Sequence, residues 1–145
     1  MRAYKLPTFL IDVIQQEYYS RWLERKAKAH VKRDRRKNPL ITTSSYKKKI
    51  HQAVLDSKGL DAYTGEQLDW SLISKYRSEL AKKYGGTYKK EFALLPSVDH
   101  VSGREISSEF KICSWRTNDA KNDLSVDEFI ELCSKVISHR SNSDQ

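Results

Sequence analysis

Asp99 and His100 stand side by side in Val98-Asp-His-Val101, and Asn118 and Asn122 stand four apart further along the chain. On an extended strand neighbouring side chains point to opposite faces, so this carboxylate and this imidazole can address different points of one substrate. In a helix Asn118 and Asn122 share a face. Folded back towards the strand, that face makes a hard, oxygen-lined site from the Asp99 carboxylate and the Asn118 amide carbonyl, with Asn122 as a third candidate ligand. Oxygen donors suit Mg²⁺ or Mn²⁺ better than Zn²⁺. The chemistry such a set performs is metal-assisted hydrolysis of a phosphodiester. The metal neutralises the scissile phosphate and stabilises the departing 3′ oxygen, while neutral His100 takes a proton from the attacking water. An ordinary imidazole, with a pKa near ~6.5, is mostly unprotonated at cellular pH. Lys121 or Arg116 can then hold a non-scissile phosphate.

These residues need a strand, a turn back, a second strand and a helix. From Phe92 to Val101 the pattern is apolar, holds a proline and lacks a helical period, which reads as a strand; the polar segment 102–108 reads as a loop. Phe110-Lys-Ile-Cys113 is a second short alternating strand, and Trp115 to Asn122 suits a helix. Upstream, Ser44 or Ser45 can cap a helix with Tyr46, Ile50, Val54 and Leu55 inward, stopped near Gly59. Tyr63-Thr-Gly-Glu-Gln-Leu-Asp-Trp70 reads as a hairpin or knuckle, and Ile73, Tyr76, Leu80 and Tyr84 follow at helical spacing. Ser125-Val-Asp-Glu128 is a capping box, and Val126, Phe129, Ile130, Cys133, Val136 and Ile137 form one apolar stripe, which predicts a core helix. From Ser138 the chain is polar and reads as a frayed tail.

The 145 residues carry 27 Lys+Arg against 19 Asp+Glu, a net charge of +8. Residues 1–39 hold 11 basic and 4 acidic side chains, so +7 of that charge lies in the first quarter. Ile11, Ile14, Tyr18 and Trp22 recur at steps of three and four, so the first part of this arm can pack against a body. The stretch with Arg25, Lys28, Lys32, Arg33, Arg35, Arg36 and Lys37 is basic on nearly every side and is expected to remain unpacked and to hold a polyanion through counterion release. His30, His51 and His139 sit beside basic residues and read as solvated or phosphate-contacting. Cys113 and Cys133 read as core thiols, and two cysteines exclude a four-cysteine zinc site. No apolar run approaches the roughly 18 residues of a membrane span, and no secretory signal is evident, so the expectation is a soluble, cytoplasmic protein without a membrane partner.

Val98-Asp99-His100-Val101, followed by Ile112-Cys-Ser-Trp-Arg-Thr-Asn118-Asp-Ala-Lys121-Asn122, resembles the ββα-metal core of HNH endonucleases, whose pattern is Asp-His-Ile, a loop, an apolar strand, and Asn-x-x-Lys at a helix start. Tyr63-Thr-Gly-Glu-Gln-Leu68 is similar to the Cys-x-x-Cys-Gly-x-x-Leu knuckle often found upstream, with its cysteines replaced. The resemblance covers about residues 60 to 125. It implies that His100 is the general base and that Asp99 and Asn118 bind the metal. Two departures stand out. The loop from Val101 to Phe110 has no asparagine to orient the base, a task left to Ser107, Ser108, Glu109 or a backbone carbonyl. Packing of Tyr63, Leu68 and Trp70 must hold the knuckle in place of zinc.

The fold class expected is α+β, with a ββα-metal core over 61–140 that includes a closing helix, a basic helical arm over 1–40, a connecting helix over 41–60 and a polar tail over 141–145. The function expected is a Mg²⁺- or Mn²⁺-dependent endonuclease acting on DNA, with RNA open as substrate and a dimer open as assembly. One rival is a non-catalytic DNA- or RNA-binding protein on the same scaffold; another is an adaptor whose basic arm docks an acidic protein.

Overall fold

The computed structural model describes residues 4–101 and 109–143. After a 3-10 turn at Thr8–Leu10 come α1 (Gln16–Asp34) and α2 (Thr43–Ser57), a 3-10 turn at Trp70–Ser74, then α3 (Ser78–Tyr84) and α4 (Gly86–Glu91). The chain continues through β1 (Pro96–His100), β2 (Phe110–Ser114), α5 (Trp115–Lys121) and α6 (Val126–Ser143). The class is α+β, with one two-stranded antiparallel sheet among the described residues. Its register pairs Val98 with Ile112, Asp99 with Lys111 and His100 with Phe110.

One core spans helix α1 of the arm, the connecting helix and the hairpin. It joins Tyr19, Trp22, Leu23, Ala27 and Val31 of α1 to Tyr46, Ile50 and Val54 of α2 and to Val98, Phe110 and Ile112 of the strands. Trp22 meets Trp70 edge to face with centroids 5.6 Å apart, a pairing that adds roughly 0.5–1.5 kcal/mol to its area burial. Two sequence expectations for the arm are corrected here. The buried stripe of α1 runs through Tyr19 rather than Tyr18, which is exposed along with Ile11. It also continues through Ala27, His30, Val31 and Asp34, so the basic second half does pack. Its charges lie on one side of the helix and its small or apolar residues on the other, at steps of three and four.

Local signals explain most element ends. Thr42, one turn ahead of the serines expected to cap, accepts from Ser45 N at 3.1 Å and starts α2. Lys58 and Gly59, both at positive φ, end it. Ser114 closes β2 and caps α5, its Oγ accepting from Thr117 N at 3.0 Å. The helix expected to run on to Tyr84 is broken into the 3-10 turn and α3, and Leu80 and Tyr84 are exposed.

The last helix departs furthest from expectation. The capping box forms, with Ser125 N donating to Glu128 Oε1 at 3.0 Å and Glu128 N donating to Ser125 Oγ at 3.2 Å. Yet none of the described residues of α6 is buried, Cys133 is exposed, and the helix continues to Ser143 where a frayed tail was expected. Cys113, by contrast, is a core thiol.

Candidate active site

Strand alternation divides the Asp-His pair between two neighbours. His100 turns to α1, where its Nε2 donates to Asp34 Oδ2 at 3.0 Å. The same carboxylate oxygen accepts from the Tyr46 hydroxyl at 2.6 Å. Asp99 turns the other way, to α5 and the knuckle. The fully buried Lys121 ammonium lies 3.3 Å from its Oδ1 and 3.2 Å from its Oδ2, and the Tyr63 hydroxyl donates to Oδ2. Lys121 also donates to the carbonyls of His100 and Leu124. Desolvation raises the Asp99 carboxyl above the ordinary carboxylate range, with Tyr63 and Lys121 opposing it.

Asn118 lies on the face of α5 turned to β1 and donates from Nδ2 to Ser97 Oγ at 3.0 Å. Asn122 does not continue that helix: it is the C-cap, at φ 51°, in the left-handed region that asparagine enters more readily than most residues. The two amides nevertheless line one cleft of about 510 Å³ together with His100, Asp99 and Asp34. Its other side is built from Lys26, Arg33, Arg36 and Lys37. Desolvation, then repulsion from Arg25, pushes the Lys26 ammonium down to about 8, with Arg33 adding to it.

The expected phosphate-contacting residues therefore separate into groups. Arg33, Arg36 and Lys37 reach the cleft, whereas Arg25 and Lys28 line a shallow depression elsewhere on α1, where Lys28 pairs with Glu24 at 3.4 Å. Lys32 is exposed. Arg35 donates from Nε to the Ile41 carbonyl at 2.9 Å, and Arg116 Nη2 donates to both oxygens of Glu66 at 2.7 and 2.8 Å. Neither Arg116 nor Lys121 presents an uncommitted charge: the first is held by Glu66 and the second is enclosed.

Several residues at the site carry no signal in a linear reading. Asp34 takes the orienting position beside His100 that was expected from the hairpin loop; Ser107 and Ser108 lie outside the described residues. A lone aspartate in a run of six basic and acidic side chains reads as a solvated charge, and only the tertiary fold brings it to the imidazole. His30, expected to be solvated, is buried next to His100, with ring centroids 6.2 Å apart and its Nε2 3.3 Å from the Val98 carbonyl oxygen. Burial, with Arg33 next, pushes it down to about 4. His51 shares a 2.6 Å hydrogen bond with the Tyr19 hydroxyl, and His139 is exposed.

Asp61 braces the knuckle, the role that packing of Tyr63, Leu68 and Trp70 was expected to fill. Its Oδ1 accepts from Tyr63 N at 2.8 Å and Thr64 N at 3.1 Å, and its Oδ2 from Ser114 N and Thr117 Oγ1, both at 2.9 Å. Desolvation works to raise this carboxyl, but the four hydrogen bonds outweigh it and hold it below its ordinary value. Leu68 and Trp70 add the packing expected of them, both being buried.

A hard divalent ion fits the expected ligand set poorly. Asp99 supplies the sole formal charge among the three ligands, and a buried ammonium already neutralises it with both oxygens engaged. The remaining donors are neutral amides, whereas Mg²⁺ is ordinarily held through one or two carboxylates. Among the described residues no group of three or more His, Cys, Asp or Glu is arranged to hold a metal. Compared with known proteins, the chain matches no family model, no curated protein and no solved structure.

Proposed function

We propose that the chain is an HNH-type endonuclease that hydrolyses phosphodiester bonds in DNA, with His100 as general base and Asp34 as its positioning residue. What carries this reading is the meeting of His100 and Asp34 in the wall of a cleft whose other side is basic. Because a carboxylate only accepts, Nε2 carries the proton and Nδ1 the lone pair. Among the described residues Nδ1 is enclosed and has no hydrogen-bond partner, so it meets a water only when substrate entry opens the wall of the cleft. Nδ1 takes a proton from that water as its oxygen bonds to phosphorus, and Asp34 stabilises the resulting imidazolium. The P–O bond to the 3′ oxygen breaks, and that oxygen leaves with a proton from solvent. Arg33 and Arg36 are disposed to hold flanking phosphates and to offset the charge that develops on the reacting one.

Mg²⁺ or Mn²⁺ dependence belongs to the same proposal through the family resemblance: Asn118 and Asn122 are the amides in the cleft, and Asp99 would join them only on releasing Lys121. Nicking of supercoiled plasmid with Mg²⁺, with Mn²⁺ and with EDTA tests the reading, with single-stranded DNA and RNA as further substrates. His100→Ala is expected to abolish cleavage while duplex binding persists, and Asp34→Asn to lower the rate and move its pH profile. Cleavage retained by His100→Ala overturns the mechanism.

A second reading, a nucleic-acid-binding protein without catalysis on the same scaffold, is favoured by the Asp99–Lys121 pair, which closes the position a metal would need. It expects duplex binding with a steep salt dependence and no nicking by the unaltered chain under any of these conditions.

A further inference from the structure

Beside the cleft lies a second cavity of about 100 Å³, and Lys26 and Ser97 line both. Trp22, Tyr76 and Trp115 contribute its aromatic walls, and Arg25 and Lys26 its charge; no carboxylate lines it. Tyr76 and Trp115 are half-buried and meet edge to face, with centroids 5.6 Å apart. Trp22 is fully buried, and its Nε1–H has no acceptor among the described residues. The chemistry proposed for the cleft uses none of these rings.

We propose that this pocket seats the base of a nucleotide whose phosphate lies in the adjoining cleft, so that the chain takes its nucleic acid as an unpaired strand and favours pyrimidines. The proposal rests on the reading of the cleft as a phosphate site, and it holds whether or not the strand is cut.

The lining selects the ligand. Aromatic walls hold planar rings, and every base has such a face to offer. An enclosed N–H without an acceptor is costly to keep, and a pyrimidine carbonyl is an acceptor of the kind that Trp22 lacks. Two cations without a carboxylate favour a ring that arrives with anionic charge, as a base on its phosphate backbone does. Size narrows the choice further. A cavity of roughly 150 Å³ encloses one benzene, so this smaller, open pocket takes the edge of a single ring better than a fused pair. A base held in a duplex is stacked and paired, and it must be unstacked before it can enter; an unpaired base avoids that cost.

Fluorescence anisotropy with labelled strands of one length, in EDTA to prevent cutting, tests the pocket. The strands are oligothymidylate, oligodeoxyadenylate and an abasic strand with the same phosphates. Oligothymidylate is expected to bind roughly ten-fold tighter than the abasic strand, with oligodeoxyadenylate between them, and annealing it to its complement is expected to weaken binding. Tyr76→Leu and Trp115→Leu are each expected to remove most of the margin over the abasic strand. Binding of the abasic strand itself should stay as it was, which also reports that the variant is folded. Trp22→Phe keeps a ring and removes the donor, and is expected to narrow the preference for thymine over difluorotoluene, its isostere without carbonyls. Oligothymidylate and abasic strand bound equally well overturn the base pocket and leave the phosphate reading of the cleft standing. A chain that binds none of the strands and no duplex overturns that reading too. A margin that survives both leucine variants overturns the pocket as its source, and a duplex held more tightly than the single strand overturns the preference for an unpaired base.

Discussion

Helices α1 and α6 have traded the places that their sequences suggest. α1 is crowded with Arg and Lys and looks unfit to pack beyond its first turns, yet seven of its residues are buried, the last of them a histidine, a valine and an aspartate. α6 has the cleanest apolar stripe in the chain and a complete capping box, yet it lies on the outside. Periodicity reports that a helix has a face; whether anything lies against that face is settled by the rest of the fold. In α1 the charged side chains point away from a narrow stripe of aromatic and small residues, and the two polar residues in the stripe find partners, His30 at the Val98 carbonyl and Asp34 at His100 and Tyr46. In α6 none of the described residues is buried, and Ile130, Leu132, Val136 and Ile137 are exposed.

If this contrast is right, substitutions around the α1 cleft are costly and those on α6 are not. The largest effect is expected at the buried ion pair. Lys121→Met leaves the Asp99 carboxylate enclosed without its cation and should lower stability by about 3–5 kcal/mol, read from urea unfolding. If the released carboxylate then serves as a ligand, Mn²⁺ should restore part of the loss in this variant and do little for the unaltered chain.

Next comes the pH response of His30. The unfolded chain binds a proton there near 6.5 that the folded chain refuses until about 4. Stability is therefore full above pH 6.5 and falls as pH is lowered through that window, by up to about 3 kcal/mol, then levels off. His30→Phe should flatten this slope between pH 6.5 and 4. An unchanged slope would mean that the imidazole is not enclosed as α1 packs it.

The smallest effect belongs to α6. Ile130→Gln, measured where the chain is monomeric, should change stability by no more than about 0.5 kcal/mol. A loss of several kcal/mol would show that the stripe is covered within the chain after all, and would erase the contrast between the two helices.

Local order was readable where local rules suffice. The strand pair ending at His100 and starting at Phe110 and the α2 stripe of Tyr46, Ile50 and Val54 follow from alternation and a period near 3.6, which depend only on neighbours in the chain. Leu55, expected in that stripe, is instead exposed, and residues 92–94, expected in the first strand, form a turn. The split of Asp99 and His100 to opposite sides of β1 follows from the same alternation. Less legible was the set of partners each side would meet. Lys121 looked like a phosphate ligand and is an enclosed counter-ion; Arg116 looked like another and is held by Glu66. Asp61 and Asp34 looked like ordinary surface carboxylates and brace the knuckle and the imidazole. Each of these pairings joins residues between 22 and 66 positions apart.

The sequence by itself determined the α+β class, the order of hairpin and helix around positions 96–121, and the concentration of positive charge in the first quarter, because these depend on residue type and near-neighbour geometry. Only the tertiary structure decided that the basic arm closes one side of the cleft, that Asp34 holds His100, and that Lys121 occupies Asp99. Hydrogen bonds and ion pairs act over about 3 Å, so which donor reaches which acceptor is set by how distant segments pack, a quantity no local pattern encodes.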